Sequence, residues 1–251
     1  MEIVGNGFLA RHLQPLSGIR PDVVVLAAGV SSAASTSAAE FAREQALLRR
    51  VARRCRETSR QLVFFSTSST GMYGRVDGAG REDVPVTPQN PYGAHKLALE
   101  EQVREAGADF LILRLAHATG PGQPPHQLLP SLTRQVRAGR VTVQCGASRD
   151  LISVSDVVTI IGMLLGADVR NQTVNLATGR DVSVERIVDH LAHRLGRDPE
   201  RHYVAGGRRN QVSVAKLRAL VPAVDRLGFG DDYHLRVLDA APAMAPAGEW
   251  R

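Results

Sequence analysis

Residues 2–10 are Glu2-Ile3-Val4-Gly5-Asn6-Gly7-Phe8-Leu9-Ala10, a short apolar run followed by a glycine-containing turn and the start of a predicted helix. The pattern is G-x-G-x-x-A between a strand and a helix. The two glycines allow a sharp turn and a close approach of the backbone to a pyrophosphate, whose charge the first amides of the helix meet. A merely tight turn produces the same pattern, but its place at the first strand–helix junction predicts dinucleotide binding.

Short apolar runs alternate with amphipathic helical segments along the rest of the chain. Val23–Ala28 is an unbroken apolar run, which is typical of a strand buried on both faces. Further strands are predicted at Glu2–Val4, Gln61–Phe65, Phe110–Leu115 and Val174–Leu176, and helices at about Phe8–Leu16, Ala38–Glu57, Pro91–Glu105, Ser183–Leu195 and Val214–Leu220. The alternation predicts an α/β fold with a doubly wound parallel sheet.

Composition excludes several classes of protein. With 251 residues, 43% apolar and 22% charged, the chain suits a single large α/β domain and resembles ordinary soluble proteins. Its apolar runs are too short to span a bilayer, and its start lacks the features of a signal peptide. The two cysteines, Cys55 and Cys145, have no second Cys or His at a metal-ligand spacing. We therefore expect a cytoplasmic protein with reduced cysteines and no metal site.

The net positive charge of the chain indicates what kind of partner it binds. The formal net charge is +6, which raises the possibility of nucleic acid. The densest group of arginines, at residues 49–56, lies in a predicted helix with no aromatic residues interleaved, so a solvated helix face explains it better. An anionic small molecule fits the same balance, and we expect such a partner rather than nucleic acid or a membrane.

Tyr92 and Lys96 are the strongest candidates for catalysis. Their i, i+4 spacing puts both on one face at the start of a predicted helix. A neighbouring ammonium favours the phenolate, so the tyrosine can exchange a proton with a substrate oxygen near neutral pH. Ser69, where the preceding strand ends, would hydrogen-bond the same oxygen. A solvent-facing Tyr beside a Lys is the alternative; the glycine turn and the serine-rich strand end argue against it.

Two stretches carry a family resemblance. FFSTSSTGMYG at residues 64–74 and NPYGAHK at residues 90–96 resemble the active-site region of the extended short-chain dehydrogenases/reductases, which include nucleotide-sugar epimerases, dehydratases and ketoreductases. In the match, Ser69 falls on the catalytic Ser/Thr, and Tyr92 and Lys96 fall on the catalytic Tyr and Lys. The resemblance continues in the same order over nearly the whole chain, through Leu113-Arg114-Leu115, Gly120-Pro121-Gly122, the segment 149–157 and the segment 175–179.

The resemblance implies a Rossmann-type sheet, NAD or NADP as cofactor, a nucleotide-sugar substrate and a homodimer formed through the long helices. It implies a dinucleotide-binding core at residues 1–119 and 151–177 and a small substrate-binding lobe at 120–150 and 178–240. The last residues, 241–251, are rich in Ala and Pro and are expected to form a flexible tail. The residues expected to bind the cofactor are Gly5, Asn6, Gly7, Phe8, Leu9, Ala27, Ala28, Tyr92 and Lys96.

Substrate contacts follow from the same resemblance. Arg149 matches the arginine that holds the sugar-nucleotide pyrophosphate, a task that suits a planar guanidinium. Arg208 or Arg209 would add a second contact, and Ser69 is expected to contact the substrate as well. His117 replaces the family's asparagine and either adjusts the substrate pocket or is only a packed histidine. An ordinary surface salt bridge is the alternative for Arg149.

One segment of the family pattern is missing. The family has a strand, a helix and a further strand between the first helix and the strand that matches Val23–Ala28. Here only about ten residues lie there, too few for such a unit. The first strand of that unit, which is the second strand of the family's fold, normally ends in the residue that reads the adenosine ribose. We therefore expect a sheet shortened on the adenosine side, a feature shared with dTDP-4-dehydrorhamnose reductases.

Three functions are compatible with these observations. The first is NAD(P)H-dependent reduction of a keto group on a nucleotide-activated deoxysugar, which the shortened sheet favours. The second is an epimerase or dehydratase that keeps NAD bound. The third is a binding or regulatory protein that kept the fold and lost the redox reaction.

Overall fold

The computed structural model describes residues 1–32, 35–73 and 80–240, so the predicted tail at 241–251 lies outside the described residues. The strands are β1 (Glu2–Val4), β2 (Val23–Leu26), β3 (Gln61–Thr67), β4 (Phe110–Leu115), β5 (His117–Thr119), β6 (Arg140–Gln144), β7 (Ser148–Ser153), β8 (Gln172–Leu176), β9 (Asp181–Ser183) and β10 (Glu200–Val204). The helices are α1 (Phe8–His12), α2 (Ala38–Glu57), α3 (Thr70–Tyr73), α4 (Pro91–Glu105), α5 (Leu128–Arg137), α6 (Val154–Gly166), α7 (Val184–Leu195), α8 (Ala215–Leu220) and α9 (Tyr233–Ala240), with 3-10 turns at Gln14–Leu16 and Pro222–Leu227.

The central sheet is parallel and has the strand order β1-β2-β3-β4-β8. Alternate residues of its strands face opposite layers, as the pleat requires. Val24 and Leu26 of β2 join the apolar cluster that includes Leu48 of α2 and Leu99 of α4. Val23 and Val25 join the other cluster, which includes residues of α1 and α6. Helices therefore cover both faces, and the predicted doubly wound α/β fold is confirmed.

Local sequence signals fix the long helices. The Ser37 hydroxyl caps α2 by accepting a hydrogen bond from the Glu40 amide at 3.3 Å. The Asn90 side chain caps α4 by accepting one from the Gly93 amide at 2.8 Å, and Pro91 occupies the first turn. The cap of α4 matters most for function, since it sets where the turn carrying Tyr92 begins.

One predicted helix is interrupted. The segment from Phe8 to Leu16 forms α1 only as far as His12 and then a 3-10 turn at Gln14–Leu16. Pro15 explains the break because it has no amide hydrogen to continue the helix and disfavours the α conformation of the residue before it.

Strand β1 forms one edge of the central sheet. It pairs with β2 alone, and no described strand lies on its other side. Between α1 and β2, residues 13–22 hold only the short 3-10 turn. The expected shortening is thereby confirmed. In longer sheets of this kind, strands on both sides of β1 create the crevice in which a dinucleotide binds.

Two smaller sheets are formed by strands that lie before and after β8 in the chain. Strands β5 and β7 pair in parallel and β7 pairs with β9 antiparallel, while β6 and β10 form a two-stranded parallel sheet. The predicted boundaries between core and substrate lobe stay a prediction. None of the helices in the described ranges has the length and apolar character needed to cross a bilayer.

Candidate active site

In the glycine turn, backbone atoms lie close to Gly5, whereas the space around Gly7 is open. Gly5 has φ +135°, and a Cβ atom there would lie 2.4 Å from the Ala27 carbonyl oxygen. At Gly7, apart from its two chain neighbours, no atom of the described residues lies within 4 Å of where a Cβ would be. In the same part of the chain, no side chain caps the start of α1. The turn therefore leaves space and backbone amides for a phosphate group.

The other expected cofactor contacts surround this turn. Asn6 is exposed, Phe8 is buried and Leu9 is half-buried, while Ala27 and Ala28 are half-buried just beyond the end of β2. Because β1 and β2 are parallel, both chain segments emerge at the same edge of the sheet.

Ser69 lies where β3 ends and α3 begins, on a turn that touches the start of α4. A Cβ atom at Gly93 would lie only 2.1 Å from the Gly71 carbonyl oxygen, so only glycine permits this contact. The Gln89 amide also donates to that carbonyl, at 2.8 Å. The Ser69 hydroxyl oxygen is buried and has no hydrogen-bond partner among the described residues. An orphaned buried hydroxyl beside a candidate catalytic turn is available to a ligand.

Tyr92 and Lys96 are both buried on α4, with exposed fractions of 7% and 4%. The Lys96 Nζ atom lies 5.8 Å from the centre of the Tyr92 ring and 5.4 Å from that of Phe64. Their burial excludes the alternative of a solvent-facing tyrosine beside a lysine. Two of the three ammonium hydrogens have acceptors, Glu44 Oε1 at 2.6 Å and the Phe65 carbonyl at 3.4 Å.

Glu44 is a site residue that the sequence interpretation missed. Its carboxylate is buried on α2 and accepts hydrogen bonds from Lys96, from His95 Nε2 at 2.9 Å and from the Val30 amide at 3.1 Å. A signal was present in the sequence, because Glu44 falls on the buried stripe of α2 between Phe41 and Leu48. An acidic residue in an otherwise apolar stripe indicates a buried partner.

The electrostatics of Tyr92 differ from the sequence-based expectation. Burial raises the pKa of Tyr92, and the Glu44 carboxylate raises it further. The Lys96 ammonium and a hydrogen bond with Thr67 lower the pKa, but the net direction is upward. We expected a pKa lowered by the ammonium alone; in the fold, removal of water from the phenol outweighs that attraction. Tyr92 is therefore a protonated phenol at neutral pH.

His117 and Arg149 are brought together on the neighbouring strands β5 and β7, where His117 pairs with Leu151. His117 Nδ1 is buried and has no partner among the described residues. Burial lowers the pKa of His117 to about 3, and the positive charge of Arg149 acts in the same direction. A neutral imidazole with an unused ring nitrogen can donate or accept one hydrogen bond.

Arg149 contacts only neutral acceptors within the described ranges. Its guanidinium donates to the Ser148 carbonyl at 2.7 Å, and more weakly to the Arg208 carbonyl and the Gln144 side chain, each at 3.5 Å. Burial lowers the pKa of Arg149, although the group stays charged at neutral pH. A half-buried guanidinium without a carboxylate is suited to an anion.

The two adjacent arginines face different surroundings. Arg208 donates to the Gln89 side chain at 3.1 Å, close to the start of α4. Arg209 instead forms an ion pair with Asp181 at 2.8 Å. It lines a cavity of about 540 Å³ whose lining includes none of the three predicted catalytic residues. Arg149 thus contacts the Arg208 backbone, whereas the Arg209 side chain is engaged by Asp181.

Comparison with protein families gives one match over much of the chain. Residues 11–177 match the family described as the NAD dependent epimerase/dehydratase family.

Two curated relatives are similar in sequence. One is an uncharacterized UDP-glucose epimerase, YtcB, of Bacillus subtilis (strain 168), 31% identical over 187 residues, which cover 69% of this chain and 58% of that protein. Another is the GDP-6-deoxy-D-mannose reductase of Pseudomonas aeruginosa, 29% identical over 176 residues, which cover 62% of this chain and 58% of that protein. The match therefore spans less than two thirds of either relative.

A solved structure shares the fold. The RMD protein of Pseudomonas aeruginosa, complexed with NADPH, superposes with a TM-score of 0.68 at 22% identity and covers 88% of this chain and 91% of that one.

Proposed function

Because the chain belongs to the NAD-dependent epimerase/dehydratase family, we propose that it reduces a keto group on a nucleotide-activated deoxysugar with NADPH or NADH. The relatives are named as epimerases and reductases of nucleotide sugars, so the substrate class has support from both. The choice of reduction rests on one observation. Among the described residues, no strand lies beyond β1 to hold the adenosine half of a dinucleotide, which favours a cofactor that is released at each turnover, as in a reductase.

Each residue of the site has its own role in the proposed reduction. A bound nicotinamide cofactor would supply the hydride. The Tyr92 hydroxyl gives its proton to the substrate oxygen, and the unpartnered Ser69 hydroxyl donates a hydrogen bond that orients that oxygen. Lys96 keeps one N–H free after its bonds to Glu44 and Phe65, enough for a ribose hydroxyl of the cofactor.

The residues present fit the nicotinamide and pyrophosphate of a dinucleotide better than its adenosine. The turn at Gly5–Gly7 provides backbone amides and open space for a pyrophosphate, and the Ser69 hydroxyl, which has no partner among the described residues, would contact a ligand at the nicotinamide end. Beyond β1 no strand provides the usual adenosine contacts within the described residues. We infer that the cofactor binds mainly through its nicotinamide and pyrophosphate and leaves after each turnover, as a reductase requires.

The substrate diphosphate would lie against Arg149, whose guanidinium contacts the Arg208 backbone carbonyl, and against Arg208 itself. Neither side chain has a carboxylate partner in the described part of the chain. His117 borders Arg149 and offers its free ring nitrogen to the substrate. Such a site recognises the negative charge through the arginines and a sugar or phosphate oxygen through the imidazole.

Calorimetric titration tests this proposal. The protein would be titrated with NADPH and with NADH, each alone and in the presence of a dTDP-, UDP- or GDP-sugar. Saturable binding of a cofactor, followed by oxidation of that cofactor with a 4-keto-6-deoxy sugar nucleotide, is the expected result. Sugar-nucleotide binding without cofactor binding, even in the ternary mixture, would contradict the reductase and support a binding protein that retained the fold.

An epimerase is the second candidate, favoured by the name of the Bacillus relative. An epimerase returns the hydride to the same substrate and so keeps its NAD. The freshly purified protein distinguishes the two. NAD released on denaturation in a near-stoichiometric amount favours the epimerase, and cofactor-free protein that binds NADPH reversibly favours the reductase.

A further inference from the structure

The Glu44 carboxylate links three elements that meet behind the catalytic helix. It lies on α2, binds Lys96 and His95 of α4, and accepts the Val30 amide from the segment that follows β2. A Cβ atom at Gly29 would lie 2.1 Å from Glu44 Oε1, so this segment closes directly over the carboxylate. Three donors hold the carboxylate, which leaves it little freedom to move.

Charge compensation follows from these contacts. The Lys96 ammonium lies 5.8 Å from the centre of the Tyr92 ring, and a lone ammonium in a buried site would favour the phenolate strongly. Glu44 places a negative charge 2.6 Å from that ammonium, and both groups are buried, so their charges largely cancel as seen from the phenol. His95, stacked on Phe41 with ring centres 4.2 Å apart, holds the second carboxylate oxygen.

We propose that Glu44 is a positioning residue that fixes the Lys96 ammonium and offsets its charge at Tyr92, so that Tyr92 works as a proton donor. The part that Glu44 plays in turnover rests on the proposed reductase function. Its electrostatic effect on Tyr92 requires neither cofactor nor substrate. A donor-biased tyrosine favours reduction of a ketone over oxidation of an alcohol, since oxidation requires the phenolate as base.

Within the described residues, few charged or polar groups surround the Tyr92 phenol. From its own helix Tyr92 faces Lys96, from α2 it faces Glu44, and from β3 it faces Thr67, with the Phe64 ring beside the ammonium. The Glu44 carboxylate faces His95 and Lys96 of α4 and the Val30 amide. The upward pKa of Tyr92, to which Glu44 contributes, agrees with this arrangement.

Tyrosinate absorbance at 295 nm measures the effect directly. The chain has four tyrosines, so the signal of Tyr92 is obtained by subtracting the titration of Tyr92→Phe from that of the same protein with Tyr92 present. The Tyr92 titration in the Glu44→Gln background is obtained by the same subtraction, from Glu44→Gln and the double variant Glu44→Gln/Tyr92→Phe. Glu101→Gln is the matched control, because Glu101 lies on α4 but its side chain is largely exposed and pairs with Arg104. Circular dichroism at each pH confirms that the fold is intact.

In Glu44→Gln the ammonium is no longer offset, so the Tyr92 phenolate should form at least about one pH unit lower than in the unmodified protein, a tenfold change in its proton equilibrium. Glu101→Gln should leave the titration unchanged. Equal Tyr92 titrations in Glu44→Gln and the unmodified protein would overturn the proposal. That failure would leave the reductase proposal standing, and a chain without reductase activity would still show the shift.

A second comparison covers the case in which Glu44→Gln does not fold, since it leaves a buried ammonium without its partner. Lys96→Gln and Glu44→Gln/Lys96→Gln contain no buried ammonium. The Tyr92 phenolate should form at lower pH in the double variant than in Lys96→Gln, because only the latter keeps a negative charge near the phenol. Identical titrations in this pair would also overturn the proposal.

Discussion

The Lys96 Nζ atom lies 5.8 Å from the centre of the Tyr92 ring, on the same helix and out of contact with bulk water. The ammonium favours negative charge on the phenol, and the Glu44 carboxylate offsets that effect. Under the proposed function, Tyr92 is the residue of this pair that donates a proton to the substrate.

Replacing Tyr92 with Phe removes that donor and little else, because the ring remains in its buried place. We expect kcat for keto-sugar reduction to fall at least about 100-fold, while affinity for the sugar nucleotide stays within about threefold. Steady-state kinetics and calorimetry measure the two quantities. Tyr203→Phe is the control, since Tyr203 is 48% exposed, and it should keep full activity. Retained turnover in Tyr92→Phe would remove its catalytic role.

Gly5→Ala and Gly7→Ala separate folding from cofactor binding at the first turn. Gly5 has φ +135° and no room for a Cβ, so its replacement should lower the free energy of unfolding by about 1–3 kcal/mol. Gly7 has an open Cβ position and an ordinary φ of −76°, so its replacement should leave stability nearly unchanged. If a pyrophosphate packs there, Gly7→Ala weakens NADPH binding at least about tenfold. Urea denaturation and calorimetry give both readouts, and unchanged NADPH affinity in Gly7→Ala would place the cofactor elsewhere.

Arg149→Met and Arg209→Met test which arginine meets the substrate diphosphate. Arg149 lacks a carboxylate partner in the described part of the chain, so loss of its charge should weaken nucleoside diphosphate binding about 10- to 100-fold. Arg209 is engaged by Asp181, and its loss should change affinity less than about threefold. Calorimetry with UDP, dTDP and GDP checks both variants. The reverse order of effects would exchange the roles given to the two residues.

His117→Asn tests the buried imidazole through stability. The pKa of His117 in the folded state is lowered to about 3, mainly by burial, whereas an unfolded chain has a value near ~6.5. Between these values only the unfolded chain binds the proton, so the free energy of unfolding is complete above about pH 6.5 and falls as pH is lowered, by at most about 1.4 kcal/mol per pH unit.

Asparagine cannot take up that proton, so His117→Asn should flatten the acid dependence. Urea denaturation of both proteins at pH 7.5, 6 and 5 compares their slopes. Parallel slopes would show that His117 titrates normally in the folded protein.

Much of the fold could be predicted from the residues. The bounds of Ala38–Glu57, Pro91–Glu105 and Phe110–Leu115 agree with the structure, since caps and apolar periodicity mark them locally. The short strands β5, β6, β7, β9 and β10 were not predicted. Each has three to six residues and pairs with a partner distant in the chain, so local pattern carries little information about it.

The sequence by itself determined the glycine turn at residues 5–7 and the absence of a strand–helix–strand unit before Val23, because spacing and length are local properties. It also supplied Ser69, Tyr92 and Lys96 as the predicted catalytic set. Tertiary structure decided the charge state of the site. Glu44 reaches Lys96 across 52 residues only because α2 packs against α4, and Tyr92 is buried because its helix packs against β3 and α2. Burial and partner charges set a pKa, and neither can be read from neighbouring residues along the chain.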